Sequence, residues 1–292
     1  MSDGKVADWL RRARALGVAR LDAQGLLAHA LGRDRAWLLA HDDAPLDAAE
    51  AERVRTLVER RAAGEPYAYL VGEREFRGLA LAVTPAVLIP RPDTETLVEW
   101  ALELLDRDFA TEPRPRVLDL GTGSGAIALA LKQARPRCAV AASDASVAAL
   151  AVARANAARH GLTVEWREGD WWAAWPGAPR WHLVLANPPY VGAGDPHLAA
   201  LAAEPARALV PAGDNGDGLA DIERIVTGAA AHLQPGAWLL LEHGNTQAGA
   251  VRDRLAAAGF ECVHSRHDLG GHERASGGRR APAATASAGV TG

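Results

Sequence analysis

From about Val6 to Ala63 the apolar residues recur at helical spacing. Trp9, Leu10, Ala13 and Leu16 share one face, and Gly17 ends the run. Leu21, Leu26, Leu27, Ala30 and Leu31 form a second stripe, stopped at Gly32. Asp34 is placed to cap a short helix through Trp37 and Leu39. Asp47 opens a longer one through Val54, Leu57 and Val58, ended by Gly64. Between residues 65 and 90 the pattern shortens. Tyr69-Leu70-Val71, Phe76 and Leu79 through Val83 read as short strands with turns at Gly72 and Gly78, a hairpin connector leading to Val87-Leu88-Ile89. Helical spacing returns from Thr94, with Leu97, Val98, Leu102 and Leu105 on one side.

From Arg116 onward short apolar runs alternate with helical segments. Strands are expected at Val117–Leu120, Ala139–Ser143, Leu162–Arg167, Trp181–Ala186, Ala237–Leu241 and Phe260–His264. Helices are expected at Ala126–Ala134, Ser146–His160, Asp221–Leu233 and Gln247–Ala258. This order predicts an α/β fold, a mostly parallel Rossmann-like sheet with helices on both faces. The expected organisation is a helical module over 1–64, a β-hairpin connector over 65–90, an α/β domain over 91–274 and a disordered tail over 275–292, rich in Gly, Ala, Ser and Arg.

Composition narrows the function classes. The chain has 292 residues, 49% of them hydrophobic, and a formal net charge of -4. No long basic block is present, which argues against tight binding to bulk nucleic acid. Cys138 and Cys262 are too few for a disulfide framework or a cysteine-rich metal site. The histidines are scattered, and no metal site is expected. Asp3, Lys5 and Asp8 interrupt any signal-like apolar run, and no segment has the apolar length of a membrane span. A cytoplasmic monomer is expected.

Two loops carry the chemistry. Gly121-Thr122-Gly123-Ser124-Gly125 follows the first strand of the α/β region and opens a helix, where bare backbone can approach a ligand. Asp144 closes the next strand, where a carboxylate can accept two ribose hydroxyls or cap the following helix. Asp119 precedes the loop and is a candidate for an ammonium group. Asp170-Trp171 ends the third strand and can reach an adenine edge and face. Trp166, Trp171, Trp172, Trp175 and Trp181 crowd that region, so most of them must be structural. The second loop is Asn187-Pro188-Pro189-Tyr190. An amide nitrogen is a poor nucleophile because its lone pair is delocalised. A side-chain carbonyl from Asn187 and the main-chain carbonyl of Pro188, on a backbone stiffened by two prolines, can hold its two N–H groups and favour the tetrahedral form. Tyr190 offers a flat face for a planar group. A glycine loop followed by this turn points to an S-adenosylmethionine enzyme acting on a planar nitrogen.

In order along the chain, several segments carry a family likeness: Gly64-Glu65-Pro66-Tyr67, Leu88-Ile89-Pro90-Arg91-Pro92-Asp93-Thr94-Glu95, Val117 through Ala130, Asn187-Pro188-Pro189-Tyr190, Glu204-Pro205, Asp217-Gly218-Leu219, Leu241-Glu242-His243-Gly244 and Asp268-Leu269-Gly270-Gly271-His272. Together they resemble the protein-(glutamine-N5) methyltransferases that act on peptide chain release factors, the HemK/PrmC family. The resemblance implies a class I S-adenosylmethionine-dependent methyltransferase domain behind a small N-terminal helical domain that helps hold the substrate. It implies methylation of the glutamine in the Gly-Gly-Gln motif of class 1 release factors. Asn187, Pro188 and Tyr190 inherit the catalytic grip on the amide, with Pro189 and Arg91 beside the substrate. Asp119, Gly121, Thr122, Gly123, Ser124, Gly125, Asp144, Asp170, Trp171 and Asn187 inherit cofactor contacts. Arg91 can instead pair with Glu95 at helical spacing, the favoured reading. Ser124 stands where Thr is frequent in the family, and Ala186 where Ser is. The same turn occurs in DNA and RNA amino-methyltransferases and in ribosomal-protein glutamine methyltransferases, which remain the alternatives.

Overall fold

The computed structural model describes residues 4–177 and 181–282. The chain divides into two compact units, Met1–Glu73 and Arg74–Gly292.

The first unit is helical: α1 (Val6–Ala15), α2 (Arg20–Leu31), α3 (Arg35–Ala40), α4 (Ala48–Ala62) and α5 (Tyr67–Val71). Val6, Trp9, Ala13, Leu27, Val54 and Val58 build its core, whereas Leu16 and Leu21 face outward. Asp34 caps α3 by accepting from Trp37 N at 2.7 Å, and Asp47 and Glu50 form a reciprocal capping box on α4. Helix α5 corrects the strand expected at Tyr69-Leu70-Val71. So short an apolar run has no resolvable period. Pro66 supplies a fixed φ of -58° at the N-cap, and Gly72 turns left-handed at the C-cap, φ 74°.

The second unit opens on a hairpin, β1 (Glu73–Phe76) and β2 (Leu79–Ala82), then α6 (Thr94–Arg107). There follow β3 (Arg116–Leu120), α7 (Ala126–Ala134), β4 (Ala139–Asp144), α8 (Val147–Arg159), β5 (Glu165–Glu168) and β6 (Trp181–Ala186). The unit ends with α9 (Ala220–His232), β7 (Leu233–Glu242), α10 (Ala248–Ala257), β8 (Phe260–His267) and β9 (Glu273–Arg280). The sheet has seven strands in the order β5-β4-β3-β6-β7-β9-β8. Strands β5 through β7 run parallel, and β9 is antiparallel to both of its neighbours. Alternate side chains feed two cores, as the pleat requires. Val117, Leu183, Leu185 and Leu240 pack under α6 and α7. Leu118, Val184, Ala186 and Leu241 pack under α9 and α10.

Strand β9 corrects the disordered tail expected from Ala275. Ala275 and Ser276 are buried, and the strand sits between β7 and β8. The glycines that make this segment look unstructured are a packing requirement. A Cβ on Gly277 would lie 2.5 Å from Leu240 Cδ2 and 2.9 Å from the Trp100 ring. Residues 283–292 of that expectation lie outside the described residues. Among the described residues, no helix is long and apolar enough to cross a membrane.

Candidate active site

The site follows from the order of the strands. Leu120 of β3 lies opposite Ala186 of β6, so the glycine loop and Asn187 leave the sheet side by side. From β3 the chain proceeds outward one way to β4 and β5, and from β6 the other way to β7. Such a switch point opens a crevice at the carboxyl ends of the strands. A cavity of about 620 Å³ lies there, a size suited to a nucleoside-like ligand.

The glycine loop forms one wall, with Gly121, Thr122, Gly123 and Ser124 on the cavity. Gly125 is one step removed, at the N-cap of α7. Asp119 lies below the loop and does not reach the cavity surface. Its Oδ2 accepts from the Thr122 hydroxyl at 2.6 Å and from Ala128 N at 3.2 Å, while Oδ1 is buried with no partner among the described residues. Burial pushes this carboxyl up to about 7. Asp119 therefore shapes the loop from beneath and keeps one acceptor oxygen unused.

Asp144 ends β4 at the cavity wall. Its oxygens accept from Gly123 N at 2.9 Å and Ser146 N at 2.8 Å. Burial raises its pKa, and these two N–H groups oppose the rise. Helix α8 is capped instead by Ser146, which accepts from Ala149 N at 3.3 Å. Trp171 also lines the cavity and holds a strained φ of 46°. Its indole Nε1 donates to Asp221 Oδ1 at 3.1 Å, and a Cβ on Gly121 would come within 3.0 Å of its ring. Asp170 forms an ion pair with Arg224, which also reaches Asp221 at 3.0 Å. This clamp on Trp171 was not anticipated from the sequence. Its only signal was the Asp-x-x-Arg spacing of Asp221 and Arg224.

Asn187, Pro189 and Arg91 also line the cavity. Asn187 Nδ2 donates to Thr94 Oγ1 at 3.2 Å. No hydrogen bond among the described residues uses Asn187 Oδ1 or the Pro188 carbonyl. Pro188 and Tyr190 lie off the cavity lining. The Tyr190 ring packs on the core beneath α9 and α10, and its hydroxyl donates to Glu242 Oε1 at 3.4 Å. Burial, with the Glu242 charge beside it, raises the Tyr190 pKa. Arg91 pairs with Glu204 rather than Glu95. Glu204, itself buried, also accepts from Ile89 N at 3.1 Å, so this carboxylate ties down the Ile89–Arg91 segment. Glu95 lies 3.8 Å from Arg77 instead.

The turn is held from behind by Gln247, whose Nε2 donates to the carbonyls of Tyr190 at 2.9 Å and Asp217 at 2.8 Å. Gly218 passes so close that a Cβ there would lie 2.1 Å from Tyr190 O, and its φ is 71°.

The fold is Rossmann-like. A methyltransferase from Pyrococcus furiosus superposes with a TM-score of 0.50 at 16% identity, covering 79% of this chain and 98% of the other. The catalytic domain of hMettl16, solved with an RNA hairpin, gives a TM-score of 0.54 at 15% identity over 80% of this chain and 81% of that one. Sequence comparison is more specific. Residues 7–72 match the PrmC N-terminal domain and residues 95–215 the methyltransferase small domain. A release factor glutamine methyltransferase of Bordetella pertussis is 52% identical over 264 residues, 90% of this chain and 95% of the relative. Those of Burkholderia pseudomallei and Pseudomonas aeruginosa are 53% and 47% identical, covering 91% and 88% of this chain and 94% and 91% of theirs. This chain belongs to the release factor glutamine methyltransferase family.

Proposed function

We propose that this chain transfers a methyl group from S-adenosylmethionine to the side-chain amide nitrogen of a release-factor glutamine, the one in the Gly-Gly-Gln motif of class 1 factors. The observation that carries the reading is the free acceptor pair beside the cavity, Asn187 Oδ1 and the Pro188 carbonyl. The residues present suit the cofactor. A bare glycine backbone lines the cavity, Asp144 presents a carboxylate to a ribose, and Asp119 keeps an unpartnered buried oxygen beneath the loop. When bound, S-adenosylmethionine supplies an electrophilic methyl group on a sulfonium.

The protein's own contribution is alignment and hydrogen bonding. Asn187 Oδ1 and the Pro188 carbonyl each accept one N–H of the glutamine amide. As the nitrogen loses conjugation its N–H groups become more acidic, so both bonds strengthen toward the transition state. The methylated nitrogen is a strong acid and releases its proton to water, so no buried general base is required. Pro189 restricts the turn, Gln247 holds it from behind, and the Arg91–Glu204 pair fixes the loop across from it.

Peptide mass spectrometry of a purified class 1 release factor incubated with this protein and S-adenosylmethionine tests the assignment. One added methyl on the Gly-Gly-Gln glutamine is expected. An unmodified release factor alongside a methylated ribosomal protein or nucleic acid would overturn it.

A further inference from the structure

Glu242 is the last residue of β7 and is fully buried at the end of an otherwise apolar run, Ala237 through Leu241. Nothing in the core calls for a carboxylate there, and burying one is costly without compensating contacts. The contacts it makes lead to the amide turn. The Tyr190 hydroxyl donates to its Oε1 at 3.4 Å, and the Thr94 side chain stands close enough to favour its ionised form. Thr94, the first residue of α6 and itself buried, accepts from Asn187 Nδ2 at 3.2 Å through the same oxygen. Glu242 Oε2 is buried with no partner among the described residues.

The geometry points to Glu242 and Thr94 as positioning residues that fix which end of the Asn187 amide faces the substrate. Ionised Glu242 only accepts, and the Thr94 O–H turned toward it satisfies an otherwise unpartnered buried carboxylate oxygen. The Thr94 oxygen lone pairs are then left for an N–H donor, and only the Nδ2 end of Asn187 can supply one. Oδ1 is thereby committed to the cavity side. Without this chain the side-chain amide can rotate by half a turn at little cost. It would then present a donor to a substrate amide that itself needs an acceptor. Glu242 also receives Tyr190, so one carboxylate orients both polar ends of the Asn187–Tyr190 turn.

This inference rests on Asn187 being the amide acceptor, and the experiment separates the two ideas. Thr94→Val keeps the shape and removes the hydroxyl. Glu242→Gln keeps the shape and adds a donor that can capture the Thr94 oxygen. Calorimetric binding of S-adenosylmethionine establishes that each variant is folded. Both should lower kcat by roughly 10- to 100-fold, the scale of a polar group left mispaired, with KM for release factor and cofactor little changed. Thr94→Ser should recover most of the loss seen in Thr94→Val. Placed in an Asn187→Ala background, Thr94→Val should add no further loss, because the group it orients is gone. Near-normal kcat in both Thr94→Val and Glu242→Gln, with Asn187→Ala slow, would overturn the positioning role and leave the Asn187 reading intact. An equal loss from Thr94→Val with or without Asn187 would also overturn it. Near-normal turnover of Asn187→Ala would overturn the amide reading and the positioning role together.

Discussion

Asn156 Nδ2 donates to the carbonyl of Ser124 at 2.9 Å, so a buried side chain of α8 holds the glycine loop from behind. The same amide pairs with both backbone groups of Ala82, accepting from N at 2.7 Å and donating to O at 3.0 Å. The β1–β2 hairpin and the glycine loop are therefore fastened to one residue.

Asn156→Leu removes these bonds and leaves buried backbone groups unpaired. The expected loss is on the order of 3 kcal/mol, a fall in Tm of roughly 6–12 °C for a unit of this size. Scanning calorimetry measures it. Because the loop loses its anchor, added S-adenosylmethionine should recover less thermal stability in the variant than in the wild type.

Gly218→Ala places a methyl group against the Tyr190 carbonyl, at a backbone angle that an L side chain resists. The left-handed conformation alone costs about 1–2 kcal/mol, and the contact forces the Gly218 segment or the Asn187–Tyr190 turn to move. Turnover should fall more than cofactor affinity, since the displaced segment carries Asn187 and not the glycine loop. Steady-state kinetics paired with cofactor titration distinguishes these effects.

Asp144→Ala should weaken S-adenosylmethionine binding by roughly 10- to 100-fold, as for a charged acceptor removed from a pair of hydroxyls. Isothermal titration gives the value. The loop also loses the Gly123 N–H contact, so part of the effect should appear as a less favourable binding entropy.

Burial pushes Glu242 up to about 7, opposed by the Thr94 hydroxyl and by Arg274, with Asp93 adding to the rise and Tyr190 opposing it. Its folded pKa thus exceeds its unfolded value. Between the ordinary glutamate range and about 7 the unfolded chain has released a proton that the folded chain keeps, so stability falls as pH rises through that window. Glu242→Gln should flatten this decline between pH 5 and pH 8 in denaturant titrations. Asp119, also near 7, leaves a residual slope of the same sign.

The sequence was most legible where strands are buried on both faces. The helix expected at Ala126–Ala134 and the strand at Trp181–Ala186 match α7 and β6 at both ends, because glycine and proline turns bound them. The glycine loop, Asp144 and Asn187 were also legible, each standing at the end of a strand. The supports were not. Asn187 meets Thr94 across 93 residues, Ile89 meets Glu204 across 115, and Ala82 meets Asn156 across 74. Such pairs are set by strand order and not by local spacing. Arg91 shows the consequence, since helical spacing favoured Glu95 and the fold brought Glu204 to it instead. A charged residue closing an apolar run, as Glu242 does after Ala237–Leu241, is a sequence signal that could have marked a buried polar partner.

The central claim is that Asn187 aligns the amide nitrogen, and the single-turnover rate of Asn187→Ala with a release-factor substrate tests it most directly. At saturating S-adenosylmethionine the rate should fall roughly 100- to 1000-fold, the scale of one lost preorganised polar group, while cofactor affinity changes little. A rate within a few-fold of wild type would contradict the account and move the methyl acceptor away from this turn.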